Sequence, residues 1–206
     1  MTFSRMIAAL AALATALVLS ACSSSSDASE GHAGHTSVEQ TPAISGEPAG
    51  FDADDVAFAT NMIPHHQQAV DLAALVPGRT TNAELTALSQ RISAAQEPEI
   101  TTMKAFLVQW KENPGDGTGH GGHGGHEAMT GMVDDATMEK LKVSNGAEFD
   151  TLWLKSMIGH HQGAIEMARA ELANGQNVDA KSLAQNIIDA QQAEIEQMKT
   201  MLGTKP

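Results

Sequence analysis

One stretch occurs twice in this chain, and it limits the fold more than any other feature. Residues 62–73 read MIPHHQQAVDLA and residues 157–168 read MIGHHQGAIEMA, 95 positions apart (62 to 157). The same offset relates a second pair without insertion: Gln96-x-x-Glu99-Ile100-x-x-Met103-Lys104 and Gln191-x-x-Glu194-Ile195-x-x-Met198-Lys199. A constant offset across two separated segments means that the repeating unit contains both of them. The chain is two copies of one helical hairpin, each with a His-His pair, a Gln, a Glu and two Met.

Helical periodicity of about 100° per residue says which of these residues face inward. Leu154, Met157, Ile158, His161, Ala164, Ile165, Ala168 and Leu172 form one apolar stripe with His161 near its centre. His66 repeats this position among Met62, Ile63, Ala69, Val70 and Ala73. His160 is expected at the stripe edge beside Trp153 and Met167, and His65 at the matching edge beside Phe58 and Leu72. In the later segments, Gln191 and Glu194 stand among Leu183, Ala184, Ile187, Ile195, Met198, Met201 and Leu202; Gln96 and Glu99 stand among Leu88, Ile92, Met103 and Phe106. Carboxylates on an apolar face are rare unless paired or bound to something. The pattern leaves open whether His66 meets Glu99 of its own copy or Glu194 of the other.

Helix signals give four long helices. The first runs from the N-cap Asp52 to Val76 and stops at Pro77-Gly78, with a kink expected at Pro64. The second starts at the capping box Thr81-x-x-Glu84 and runs to Lys111, bent at Pro98. The third spans about 147–173 and the fourth 179–202, with Val178 and Leu183 as a hydrophobic staple. Connections of about five residues make each pair an antiparallel hairpin. Residues 112–133 are irregular, and a short helix follows around 134–143. The expected fold is all-α: a ferritin-like four-helix bundle of two repeated hairpins with a long central crossover. The bundle domain is 51–206, divided into repeat one (51–111), a His/Met-rich crossover (112–146) and repeat two (147–203). Aromatic content of 3% and abundant Ala, Met, Leu, Gln and Glu agree with packed helices rather than sheet.

The formal charge of −13 excludes nucleic acid as a partner, because that recognition needs a basic surface. Residues 1–21 form a targeting segment, with Arg5 in the charged region and Met6 to Leu19 in the apolar one. Leu19-Ser20-Ala21-Cys22 resembles the bacterial lipobox, which implies lipidation of Cys22 and an extracytoplasmic protein anchored to the cell membrane. Cys22 is the only Cys, so no disulfide forms within the chain. Residues 22–50, rich in Ser, Gly, Pro and acidic residues, read as a disordered tether, with His32 and His35 inside it. The crossover carries His120, His123, His126, Met129 and Met132 at intervals of three among glycines. Imidazole takes Cu(II) readily and thioether selects Cu(I), so the tract reads as a second copper-binding segment. As Gly-rich sequence, it is expected to add little to the core.

The doubled MIxHHxxA motif, each copy followed by Q-x-x-E-I-x-x-M, resembles the bacterial secreted family of domain of unknown function 305. The resemblance covers roughly residues 51–203. It implies a ferritin-like bundle, often exported, with a periplasmic copper-binding protein among the family's members. Carried over by motif, the residues concerned are Met62, His65, His66, Gln96, Glu99 and Met103, with Met157, His160, His161, Gln191, Glu194 and Met198. The Gln pair supports the core, and the rest are metal ligands. One departure is Leu72, where the second copy has Met167.

Three functions follow from these residues. The first is a protein that binds copper, or another transition metal in its place, and sequesters or delivers the ion. The second is a ferritin-like metalloenzyme, but di-iron sites need Glu three residues before His, and Met62 and Met157 hold that place here. No Ser, Cys or Lys nucleophile stands with a plausible base. The third is a structural module in which His66 and His161 pair with Glu99 and Glu194 without metal.

Overall fold

The structure, a computed structural model, describes residues 50–111 and 129–203. Cys22, the tether histidines His32 and His35, and His120, His123 and His126 lie outside the described residues. The helices are α1 (Ala53–Ala74), α2 (Ala83–Gln109), α3 (Asp135–Val143), α4 (Gly146–Asn174) and α5 (Val178–Met201). The four long ones form the expected ferritin-like bundle. α1 packs along α2 and α4 along α5, the two hairpins meet chiefly through α1 and α4, and α2 and α5 touch only sparingly. Among the described residues no helix is long and apolar enough to cross a membrane.

The helix starts follow from short polar side chains that satisfy otherwise orphaned N–H groups. Asp52 accepts from the N–H groups of Asp54 at 2.9 Å and Asp55 at 3.2 Å, and Asp55 accepts in return from Asp52 N–H at 2.6 Å. α2 is capped by Asn82 rather than Thr81: the Asn82 side chain accepts from Glu84 N–H at 3.0 Å and Leu85 N–H at 3.2 Å. Asn177, the equivalent residue, caps α5 in the same way. This leaves Val178 as the first helical residue, 65% exposed, so the expected staple with Leu183 does not form. Pro64 and Pro98 interrupt neither helix. Both lie on the exposed side, where water can serve the carbonyl each proline leaves without a donor.

Two apolar clusters fill the bundle, one in each half of its length. The first combines Ala69, Leu72 and Val76 of α1 and Leu85, Leu88 and Ile92 of α2 with Phe149, Trp153 and Met157 of α4 and Met198 of α5. The second combines Phe58 and Met62 of α1 and Met103 and Leu107 of α2 with Ala164 and Ala168 of α4 and Ala184 and Ile187 of α5. The end of α1 thus meets the start of α4, so these helices run antiparallel. Trp153 fixes that end: its buried indole N–H donates to the Leu72 carbonyl at 2.8 Å.

At the opposite end, the α4–α5 connection is latched to α1. Asp55, fully buried, accepts from Gln176 N–H at 3.1 Å and Asn177 N–H at 2.9 Å. Burial works to raise its pKa, but the N–H donors of Asn177, Asp52 and Gln176 outweigh it and hold Asp55 below the usual carboxylate range. Glu171, only 1% exposed, lies against it. Burial first, then the adjacent Asp55 carboxylate, push Glu171 up to about 8, so at neutral pH Glu171 keeps its proton beside Asp55.

Candidate metal centre

Between the two apolar halves lies a polar layer built from the duplicated motif. His66 on α1 and Glu99 on α2 share a hydrogen bond of 2.8 Å, and His161 on α4 and Glu194 on α5 one of 2.7 Å. Each pair therefore closes within its own hairpin. Both imidazoles are fully buried, while the Glu99 and Glu194 side chains are 20% and 18% exposed. A carboxylate bonded to Nε2 fixes the tautomer with the proton on that nitrogen and leaves the Nδ1 lone pair free. Neither His66 Nδ1 nor His161 Nδ1 has a hydrogen-bond partner.

Because α1 and α2 are antiparallel, one turn back from His66 and one turn on from Glu99 arrive at the same level. Met62 and Met103 stand there, both fully buried in the second apolar cluster. Met157 and Met198 occupy the equivalent level in the first cluster, on the other side of the layer. The four thioethers thus divide into two pairs, one for each His-Glu pair, and do not gather around a single point.

His65 and His160 meet where α1 crosses α4, with ring centroids 3.8 Å apart and planes 39° from parallel. Both are fully buried and not at a stripe edge, because the helix–helix contact and the segment after residue 128 close over them. Burial lowers His65 to about 4, against the Thr130 carbonyl, which works the other way. Burial and the neighbouring rings of His65, His161 and His66 lower His160 to about 2. Both rings are neutral at physiological pH and keep a lone pair. Gln96 and Gln191, each 2% exposed, complete the layer, and neither amide has a hydrogen-bond partner.

Residues 129–133, the end of the crossover, lie across this layer. Thr130 O stands 3.3 Å from His65 Nε2. Gln68 grips Val133 twice, donating to its carbonyl and accepting from its N–H, both at 2.8 Å. The crossover is therefore part of the packed structure at this end, contrary to its Gly-rich composition; Val133 joins the first apolar cluster. Met129 and Met132 are half-buried on this segment. Thr130, Gln68, Gly131, Gly159 and Gly163 form the contact without belonging to the motif's shared residues. Their signal is the difference between the copies: Pro64 and Gln68 where the second copy has Gly159 and Gly163.

Among the described residues, no three His, Cys, Asp or Glu side chains converge closely enough to hold an ion on nitrogen and oxygen alone. The donor set fits a metal only if the Met sulfurs take part. What the geometry defines is an internally duplicated four-helix bundle with a buried layer of four imidazoles, flanked on each side by a thioether pair. The chain belongs to the family described as Domain of unknown function (DUF305), which matches residues 55–202. Similar solved structures include a DUF305 fragment from Deinococcus radiodurans, 30% identical with a TM-score of 0.66, covering 77% of this chain and 100% of that one. A DUF305 protein of Streptomyces coelicolor described as secreted is 29% identical with a TM-score of 0.65, covering 73% and 92%. CopM in its Cu(II)-bound form is 34% identical with a TM-score of 0.61, covering 71% and 94%. CopM structures with Cu(I) and with Ag are also similar. None of the curated proteins matches the chain.

Proposed function

We propose that this protein binds copper outside the cytoplasm, for sequestration or delivery, and that a lipid on Cys22 holds it at the membrane. The observation that carries the reading is the polar layer: five imidazole nitrogens of His65, His66, His160 and His161, fully buried and without hydrogen-bond partners, next to buried thioethers. Leaving a buried polar atom unsatisfied costs about 1–3 kcal/mol, which a ligand at those nitrogens offsets.

Each hairpin contributes one site. In the first, His66 Nδ1 and the sulfurs of Met62 and Met103 are the donors; in the second, His161 Nδ1 and the sulfurs of Met157 and Met198. Glu99 and Glu194 orient the imidazoles and balance the charge, in the manner of a carboxylate–histidine–metal triad. Thioether is a soft ligand that selects Cu(I), and a monovalent ion of low coordination number is content with such a sparse set. His65 and His160 lie between the two sites and offer further neutral nitrogens to either. His120, His123, His126, Met129 and Met132 collect the ion from solution. That CopM has been solved with Cu(I), Cu(II) and Ag supports the choice of metal.

A non-metal role is favoured by one observation, the hydrogen bonds of 2.8 and 2.7 Å that fix each His-Glu pair. Anaerobic titration of the purified apo-protein with Cu(I) against a chromophoric chelator separates the two readings. Tight stoichiometric uptake that survives removal of His120, His123 and His126 is expected. Uptake that disappears with those three residues would leave the bundle a purely structural module.

A further inference from the structure

The two copies of the motif are unlike at the very positions on which the single crossover rests. A bundle with internal two-fold symmetry has one crossover, so the groove that receives it cannot be the same in both copies. On α4, Gly163 is the residue that admits it, and the Gly159 backbone lies beside it. A Cβ at Gly163 would run into the carbonyl of Thr130. Gly131 has φ 87°, a left-handed conformation that suits glycine, and a Cβ there would lie 2.6 Å from the Gly159 carbonyl and 3.0 Å from Gly163 Cα. On α1, the equivalent of Gly163 is Gln68, whose amide holds Val133 by two hydrogen bonds of 2.8 Å.

What these contacts seat is a tight turn, closed by Met132 N–H donating to Met129 O at 3.0 Å. Its ends are two half-buried methionines, and between them the Thr130 carbonyl touches His65. Behind His65, at a ring separation of 3.8 Å, stands His160, whose two ring nitrogens have no hydrogen-bond partner. The turn therefore joins the last two thioethers of the His/Met tract to the stacked histidines of the bundle.

We propose that the Met129–Met132 turn is the port through which Cu(I) passes from the crossover to the His65–His160 pair. Its thioethers take the ion from solution or from the tract, and the ring nitrogens behind them receive it. Thioethers are weak donors that release an ion readily, whereas three ring nitrogens of His65 and His160 have no hydrogen-bond partner. The step is ligand exchange only: one metal–sulfur bond is lost for each metal–nitrogen bond made, and the ion keeps its charge. This rests on the copper reading above and adds a route to it.

The test is stopped-flow transfer of Cu(I) from its bicinchoninate complex to the full chain without oxygen. Ring ¹⁵N signals of His65 and His160 at the endpoint report where the ion rests. Met129→Leu/Met132→Leu keeps volume and docking but removes the sulfurs. Gly163→Val keeps the sulfurs and unseats the turn; should it fail to fold by circular dichroism, Gln68→Ala replaces it. Both arms should load about tenfold or more slowly than the parent, on the scale of other losses around a metal site, and reach the same endpoint. Loading of both at the parental rate would overturn the port and point to the α2–α5 face, where Glu99 and Glu194 reach solvent. A changed endpoint at an unchanged rate would also overturn it, by making the two methionines resting ligands. Shifts of the His66 or His161 signals with none at His65 and His160 would also overturn the port, and failure of the parent to move any of the four would refute the copper reading itself.

Discussion

His161→Ala is the substitution that weighs most heavily on the two-site arrangement. The imidazole is fully buried and bonded to Glu194 at 2.7 Å. A hydrogen bond to a charged group contributes about 1.5–3 kcal/mol. The Glu194 side chain is 18% exposed, so water reaches the orphaned carboxylate and the loss falls near the lower figure. Truncating a buried ring adds a cavity cost of about 1–2 kcal/mol. The sum is about 3 kcal/mol without metal, and at about 3 °C per kcal/mol for a domain of this size the melting temperature should fall by about 9 °C. Copper adds the second measurement. Each ion bound only to the folded state at a hundredfold excess over Kd stabilises by about 2.7 kcal/mol, or about 8 °C. Since Met157 and Met198 lie on the opposite side of the polar layer from Met62 and Met103, the variant should lose one site and keep the other. Calorimetry with Cu(I), on chains lacking residues 118–128, should therefore show about half the parental copper gain for His161→Ala and none for His66→Ala/His161→Ala. Loss of the whole gain in the single variant would mean one ion bridging the hairpins. No gain in the parent would remove metal from the bundle altogether.

Glu171 should make stability fall with pH. Its folded pKa of about 8 lies above the ordinary value of 4.5, so the stability linked to its proton is complete below about 4.5 and lost as pH rises through about 8. Glu171→Gln stays neutral at every pH and should be the more stable protein in urea at about pH 9, with the advantage gone near pH 5; parallel curves at both pH values would refute the raised pKa. Deleting residues 118–128 should lower the copper stoichiometry by metal analysis and leave helicity unchanged, whereas a deletion continued through Val133 should also lower the melting temperature. Cys22→Ala should move the protein from the membrane fraction to the soluble one, because the several acyl chains of a lipoprotein cysteine anchor firmly and no described helix spans a membrane.

The fold was legible in the sequence because repetition and periodicity are local properties. The offset that relates His66 to His161 and Glu99 to Glu194 was enough to place both pairs on facing stripes of two hairpins. Gln96 and Gln191 were read as inward-facing by the same means. What escaped depends on how helices cross and on which loop lands where. His65 and His160 read as edge residues since a stripe describes one helix, and their burial comes from a second helix and from the end of the crossover. Asp55 reads as an acid of the first turn, and nothing in its neighbourhood names Glu171, 116 positions on (55 to 171), as the acid buried beside it. Thr81-x-x-Glu84 reads as a capping box, but α2 begins at Ala83, which puts Asn82 at the N-cap, where it accepts from the N–H groups of Glu84 and Leu85. The docking turn left one trace, the replacement of Gln68 by Gly163 in the second copy.

The make-up of the two apolar halves bears on how such a chain came to exist and how it comes apart. Each half takes the outer part of one hairpin and the inner part of the other, so neither hairpin owns a complete core. A lone hairpin would satisfy its stripe only against a second copy of itself, which is a recipe for a symmetric dimer. Fusing two such hairpins turns that association into an intramolecular one and frees the new linker to diverge. It also denies either hairpin an independent melting step: hydrogen exchange should show the central turns of all four long helices opening together, as one cooperative unit.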